Sequence, residues 1–384
     1  LFFLSGFSID LEKLVFLLTP GEKQLVELTK LLFRKVNFLI LDEPSSSLAP
    51  TEVAPFLSLI KRLKEEGKTV IFISHRLPEV LEVADRITVM RRGKVVTTIK
   101  REKADEAHLS SLIMGGGKTS LLKKKEKPAA GEVMLTLSQV MVTGGGSRKL
   151  LDNVSLSLCR GEVLGVASVA GNGERELALT VAGFLKPEKG EIELEGRNIN
   201  KLSPNEIKAL GVAFIPGERD EEGLISGFSL AENLILGYHR LPAYYRFPFL
   251  HLKSAFPRLR RFSSLFGIVP LDLSLPVSVL SGGNRQRAII ARELSHKPRL
   301  IIAENPTQGL DIAGARLVRK FISAERERGV SVILISPEME ELIHLSDRII
   351  VLRRGRLVSE LRAGEASHNL LGRLMIGGSD DVAC

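Results

Sequence analysis

Residues 38–44 read Phe-Leu-Ile-Leu-Asp-Glu-Pro, an apolar run that ends in two carboxylates and a proline. A short continuous apolar run fits a strand buried within a parallel sheet. A second run, Thr69 to Ile73, continues into Ser74 and His75 and reads as another buried strand. Between the two, residues 53–66 carry apolar positions at helical spacing. Residues 78–84 read as a further helix and 86–90 as a further strand. Strands alternating with helices predict a parallel sheet with helices on its faces. Such sheets place ligands at the carboxyl ends of their strands, where Asp42, Glu43 and His75 stand.

The same frame recurs further along the chain. Leu18-Thr19-Pro20-Gly21-Glu22-Lys23-Gln24 answers to Leu280-Ser281-Gly282-Gly283-Asn284-Arg285-Gln286, an offset of 262. That offset carries Asp42-Glu43-Pro44 onto Glu304-Asn305-Pro306, and Asp85-Arg86-Ile87 onto Asp347-Arg348-Ile349. It carries Ile113-Met114-Gly115-Gly116 onto Met375-Ile376-Gly377-Gly378 without a gap. A repeat of this length marks two copies of one module. The second copy predicts strands at 300–303, 331–335 and 348–352 and a helix at 313–328. It begins near Val133, so the matching start of the first copy falls upstream of Leu1, and the first copy lacks its N-terminal half. The expected organisation is 1–114 for the first, incomplete domain, 115–132 for a linker and 133–384 for the second domain. Glycines, the lysine run 123–125 and Pro128 mark the linker.

Two carboxylates and a histidine at strand ends suit metal-assisted phosphoryl chemistry. Asp42 would hold Mg²⁺, directly or through water. Glu43 would polarise the attacking water, and His75 would contact the γ-phosphate and position that water. In the second copy Glu304 replaces Asp42, Asn305 replaces Glu43 and Pro337 replaces His75. An amide is no general base, so the second copy keeps the frame and loses the chemistry. Leu280 to Gln286 precedes a helix. Its glycines let a backbone approach a phosphate, although Ser281 as a plain helix cap explains the same residues. The strand 161–166 opens a glycine loop, Ser168-Val169-Ala170-Gly171-Asn172-Gly173-Glu174-Arg175-Glu176. Against the pattern of glycine, four residues, Gly-Lys-Ser/Thr, Ser168 takes the place of the first glycine, Glu174 of the lysine and Arg175 of the Mg²⁺-binding hydroxyl. A carboxylate beside a triphosphate is repelled by about 4 kcal/mol at ~4 Å and an effective dielectric of about 20, unless Arg175 offsets it by reaching the phosphates.

Leu-Ser-Gly-Gly ahead of a short helix, and a strand ending Asp-Glu-Pro, resemble the signature and Walker B motifs of ABC ATPases. The tandem layout resembles the ATP-binding subunits of bacterial simple-sugar and nucleoside importers, and Leu18 to Gln24 looks most like the nucleoside branch. The resemblance implies an α/β fold with two ABC-type P-loop ATPase domains, each a parallel-sheet core plus a helical subdomain. It implies ATP and Mg²⁺ as cofactors and head-to-tail pairing of the modules. The competent site would then use the phosphate loop of the first copy with Asp42, Glu43 and His75, closed by Ser281, Gly282, Gly283, Asn284 and Gln286. The degenerate site would use Ser168, Gly171, Asn172, Gly173, Glu174, Arg175 and Glu176, closed by Thr19 and Gly21, where Pro20 removes a backbone donor. The glutamine usual after the strand 212–215 is replaced by Gly217. The expected role is an ATP-hydrolysing subunit on permease subunits at the cytoplasmic face of the inner membrane, served indirectly by a substrate-binding protein, with no nucleic acid. These 384 residues alone are expected not to hydrolyse ATP. The alternatives are a soluble ABC-family factor acting on ribosome or DNA, or a non-functional truncated product.

Composition agrees with this class. A chain of 384 residues, 44% hydrophobic and 26% charged, suits two globular domains. No uncharged apolar run is long enough to span a bilayer, and the opening Leu1 to Leu4 soon meets Asp10, Glu12 and Lys13, unlike a signal peptide. Cys159 and Cys384 make no disulfide framework, which fits a reduced cytoplasmic setting. A net charge of +9 suits nucleic acid, an anionic membrane surface or a phosphate ligand. Gly115-Gly116-Gly117-Lys118-Thr119 mimics a phosphate loop but has Leu112 where the first glycine belongs, so it reads as linker. Gly144-Gly145-Gly146 reads as a hairpin turn. Tyr238, Tyr244 and Tyr245 lie among Arg240, Arg246, Lys253, Arg258, Arg260 and Arg261. That segment suits permease contact better than a plain solvated subdomain or nucleic acid. His108, His239, His251, His296, His344 and His368 show no metal-ligand spacing.

Overall fold

The computed structural model describes residues 14–15, 18, 20–34, 36–45, 48, 50–74, 76–91, 93–114, 131–144, 149–246 and 249–376. The chain forms two units, residues 1–123 with Asp311–Ala313, and residues 124–310 with 314–384. His75, Thr19 and the decoy at 115–119 lie outside the described residues, as does the linker apart from its last two.

The first unit runs α1 (Pro20–Phe33), β1 (Phe38–Asp42), α2 (Pro50–Glu65), β2 (Thr69–Ile73), α3 (Leu77–Val83), β3 (Arg86–Arg91), β4 (Lys94–Lys100) and α4 (Glu106–Met114). Strands β1 and β2 pair in parallel, and β3 pairs with β4 antiparallel. Helix α2 starts on a proline, where the missing N–H has no helical partner to lose. It buries Phe56, Leu59, Ile60 and Leu63, one helical face, in a cluster with Leu39 and Leu41.

In the second unit β5 (Val133–Thr143) and β6 (Lys149–Cys159) lead to β7 (Val163–Ala167) and α5 (Glu174–Val181). Next come β8 (Lys189–Leu194), β9 (Arg197–Asn198), α6 (Pro204–Ala209), β10 (Val212–Ile215) and α7 (Leu230–Ile235). A small hairpin of β11 (Tyr245–Arg246) and β12 (Phe249–Leu250) precedes α8 (Leu252–Leu265) and α9 (Gly282–Leu294). The chain ends with β13 (Leu300–Glu304), α10 (Ile312–Glu327), β14 (Ser331–Ile335), α11 (Met339–Leu345), β15 (Arg348–Arg353), β16 (Arg356–Arg362) and α12 (His368–Ile376). One sheet has the order β10-β13-β14-β7-β15-β16, parallel except for its β16 edge. A second, antiparallel sheet has the order β6-β5-β8-β9. The offset of 262 holds to the residue from β1 and β13 through α4 and α12.

Alternate residues of the central strands feed two cores. Ile301, Ala303, Val332 and Leu334 join the helices α7 to α9. Leu300, Ile302, Ile333 and Ile335 join α5 and the antiparallel sheet. With both faces covered, β7, β13 and β14 are buried throughout, as their apolar runs predict. The first unit departs from that expectation. Leu39 and Leu41 are buried, but Phe38 and Ile40 are 55% and 58% exposed, and Ile71 and Ile73 are also bare. Within this unit α2 covers only one face of β1 and β2, so equally apolar sequence gives a half-covered sheet.

In the segment rich in aromatic and basic residues, Arg240, Arg258, Arg260 and Arg261 are exposed while two tyrosines pack inward. Tyr244 is buried, and the Tyr238 ring stacks on His296 at 3.6 Å between centroids. Strands β5 and β6 flank Gly144 as antiparallel neighbours, while residues 145–148 lie outside the described residues.

Candidate nucleotide site

The carboxyl ends of β7, β13 and β14 come into register, with Glu304 opposite Ile335 and Ile335 opposite Val166. The loop after β7 therefore faces the carboxylate that ends β13. Asn172 fixes the loop's backbone. Its amide nitrogen donates to the Val169 carbonyl at 2.8 Å, and its side-chain oxygen accepts from the Arg354 amide at 2.8 Å. Gly173 caps α5 at φ 108°, and a Cβ there would stand 2.9 Å from the Leu150 carbonyl oxygen. Glycine is the residue that fits.

Glu174 folds back over this loop. Its Oε1 accepts the Gly171 amide at 2.8 Å, and its Oε2 accepts the Asn172 amide at 3.0 Å and the Ser168 hydroxyl at 2.6 Å. Arg175 pairs with Glu222 and, at 3.5 Å, with Glu304. Its partners are thus the carboxylate that ends β13 and an acidic loop. Glu176 sits in the first turn of α5. Burial pushes the Glu304 carboxyl above the usual carboxylate range, and Arg175 and the Gly217 amide only partly reverse that. Gly217 donates to Glu304 at 3.3 Å, and a Cβ at 217 would lie 3.1 Å from that carboxylate. A glutamine at 217 and Glu304 in this position would compete for one space.

The two strand ends share a backbone design. Asn305 has φ 46° and donates its amide to Ile335 at 2.8 Å. Glu43 has φ 48° and donates to Ile73 at 2.9 Å. A non-glycine residue held left-handed is strained, and such strain clusters at working sites. Asp42 ends β1 exposed, with Glu43 half-buried after it. The Asp42 carboxylate is a hard oxygen donor of the kind that Mg²⁺ takes. At the second strand end the Oδ1 of Asn305 is buried without a hydrogen-bond partner.

Ser281 caps α9, accepting from the Asn284 amide at 3.4 Å and from the Asn284 side chain at 3.0 Å. Gly282 and Gly283 form the first turn, and Arg219 lies over both Gly282 and Gly309. Gln286 is buried and donates to the Pro306 carbonyl at 3.1 Å. Its amide is used to join the helix to the strand end rather than presented outward. Gly21 is buried in the first turn of α1.

Three polar arrangements escaped the sequence reading. One is the inward Glu174. Another is a hydroxyl–glutamate pair that recurs at the repeat offset: Ser45 donates to Glu79, and Thr307 donates to Glu341 at 3.1 Å. The repetition of Glu79 at Glu341 was the available signal. The third is a buried cluster in which Glu293 accepts from Arg292 at 2.7 Å, Lys208 at 3.1 Å and Tyr238 at 2.9 Å.

Residues 151–308 match the family model described as ABC transporter. The chain is 35% identical over 381 residues to the glucose import ATP-binding protein TsgD13 of Haloferax volcanii, covering 98% of this chain and 69% of that protein. It is 33% identical to the nucleoside import ATP-binding protein NupA of Lactococcus lactis subsp. cremoris, covering 97% and 74%. It is 35% identical to the guanosine import ATP-binding protein NupO of Bacillus subtilis, covering 95% and 72%. The chain belongs to the ATP-binding proteins of ABC transporters. Fold comparison agrees: the ATP-binding cassette MJ0796, solved as a dimer in a post-hydrolysis state, aligns with TM-score 0.53 at 23% identity, over 60% of this chain and 99% of that one. Members of this ABC ATPase family bind ATP, yet the loop of the second unit, with Glu174 in its amides, does not fit a triphosphate. Among the described residues no helix of this ABC protein is long and apolar enough to cross a membrane.

Proposed function

We propose that this protein is the ATP-hydrolysing subunit of an importer for nucleosides or simple sugars, with one competent and one degenerate nucleotide site. The pair of strand ends carries the reading: one backbone design presents Asp42-Glu43 in the first unit and Glu304-Asn305 in the second. The first unit is then the latter half of a module like the second, and the bare faces of β1 and β2 are those an antiparallel sheet and a phosphate-loop helix cover in the second. The competent chemistry is assigned to Asp42, Glu43 and His75 of the first copy, and the degenerate chemistry to Ser168, Gly171, Asn172, Gly173, Glu174, Arg175, Glu304 and Asn305 of the second.

The chain acts at the inner face of the membrane, docked on permease subunits that a substrate-binding protein supplies. Names of relatives support the substrate classes, and the nucleoside class is favoured by Leu18 to Gln24. Co-purification with a membrane permease tests the assembly; recovery on ribosomes instead would replace this reading. On the chemistry, the 384-residue chain alone is expected to show no Mg²⁺-dependent ATP turnover. Turnover abolished by Glu43→Gln in that chain would refute the division of labour.

A further inference from the structure

The amides of a glycine loop at a helix start form a nest for an anion. In the second unit that nest is filled from within the chain. Two successive amides, Gly171 and Asn172, and the Ser168 hydroxyl all donate to the Glu174 carboxylate at 2.6–3.0 Å. We propose that Glu174 is a built-in surrogate for a phosphoryl group and keeps the second module's loop closed to nucleotide. This rests on reading 168–176 as a phosphate loop and deepens it. The degenerate site is then one already occupied from within the chain.

The carboxylate presents two oxygens to three donors, the arrangement a phosphoryl group would use. An incoming phosphate must expel it, since two anions cannot share these donors. The neighbouring cation offers no compensation, because Arg175 is engaged by Glu222 and Glu304. Asn172 holds the loop's backbone by hydrogen bonds to Val169, Arg354 and Gly355. Removing Glu174 therefore leaves a preformed nest.

The test uses the 384-residue chain, with Mg²⁺-ATP titrated calorimetrically and the amide resonances of Gly171 and Asn172 followed. The native chain is expected to show no saturable binding up to ~1 mM, and Glu174→Ala at least about tenfold tighter binding, with both amides shifting. Glu174→Gln, which keeps the size and one acceptor but loses the charge, should fall between them. It decides the matter if Glu174→Ala fails to fold. Native and Ala chains binding equally, with both amides shifting, would overturn the occlusion and leave the phosphate loop standing. No binding by any variant, or binding without shifts at these amides, would overturn both.

Discussion

At the level of single residues, the division between the two copies rests on a few side chains held in one frame. Glu43 and Asn305 occupy the same strained backbone position, yet only a carboxylate can take a proton from water. The Glu293 cluster sets a second expectation. Burial raises its carboxyl, but Arg292 and Lys208 outweigh that and hold it below the usual 4.5. Its contribution to stability is therefore present above about 4.5 and is lost as pH falls through the lowered folded value. Glu293→Gln leaves the buried Arg292 and the half-buried Lys208 without their carboxylate and should cost about 3–5 kcal/mol at neutral pH. The deficit should shrink in acid, read by urea unfolding followed by circular dichroism at several pH values. A deficit unchanged with pH would show that the cluster is neutral. Sequence gave Asp42, Glu43, Glu304 and Asn305 their places, because they follow apolar runs in a repeated frame. It could not show the direction taken by the Glu174 side chain, since fold-back onto neighbouring amides depends on loop geometry rather than on residue type.

At the level of elements, period and repeat were legible and coverage was not. Strands β2 and β14 end where their apolar runs end, and α2 and α10 begin within a few residues of their expected starts. The same hydrophobic run nevertheless has both faces buried in β13 and β14 and alternates in β1 and β2. A run of apolar residues records which faces must be covered, and only the tertiary partners decide which are. Backbone amides of β1 and β2 should therefore exchange with deuterium faster than those of β13 and β14 in the 384-residue chain. Equal protection in the two pairs would mean that the bare faces are covered. The glycine hinge before α5 gives another prediction. Gly173→Ala would place a Cβ 2.9 Å from the Leu150 carbonyl at φ 108°, and should cost roughly 1–3 kcal/mol in thermal or chemical unfolding. A neutral substitution there would mean that the loop can re-form elsewhere.

For the whole molecule, the account is one of complementary defects. The first unit keeps Asp42, Glu43 and His75. The second keeps Ser281-Gly282-Gly283, and Glu174 accepts from two amides of its own glycine loop. The import ATP-binding proteins that the chain resembles align with nearly all of it, and it covers about seven tenths of their length. The measurement that bears most directly on this asymmetry is steady-state ATP turnover by the whole subunit assembled with its permease. Glu43→Gln is expected to reduce turnover by at least about 100-fold, as loss of a general base does, while Asn305→Ala changes it less than about twofold. Comparable losses from both substitutions, or survival of turnover in Glu43→Gln, would contradict the account.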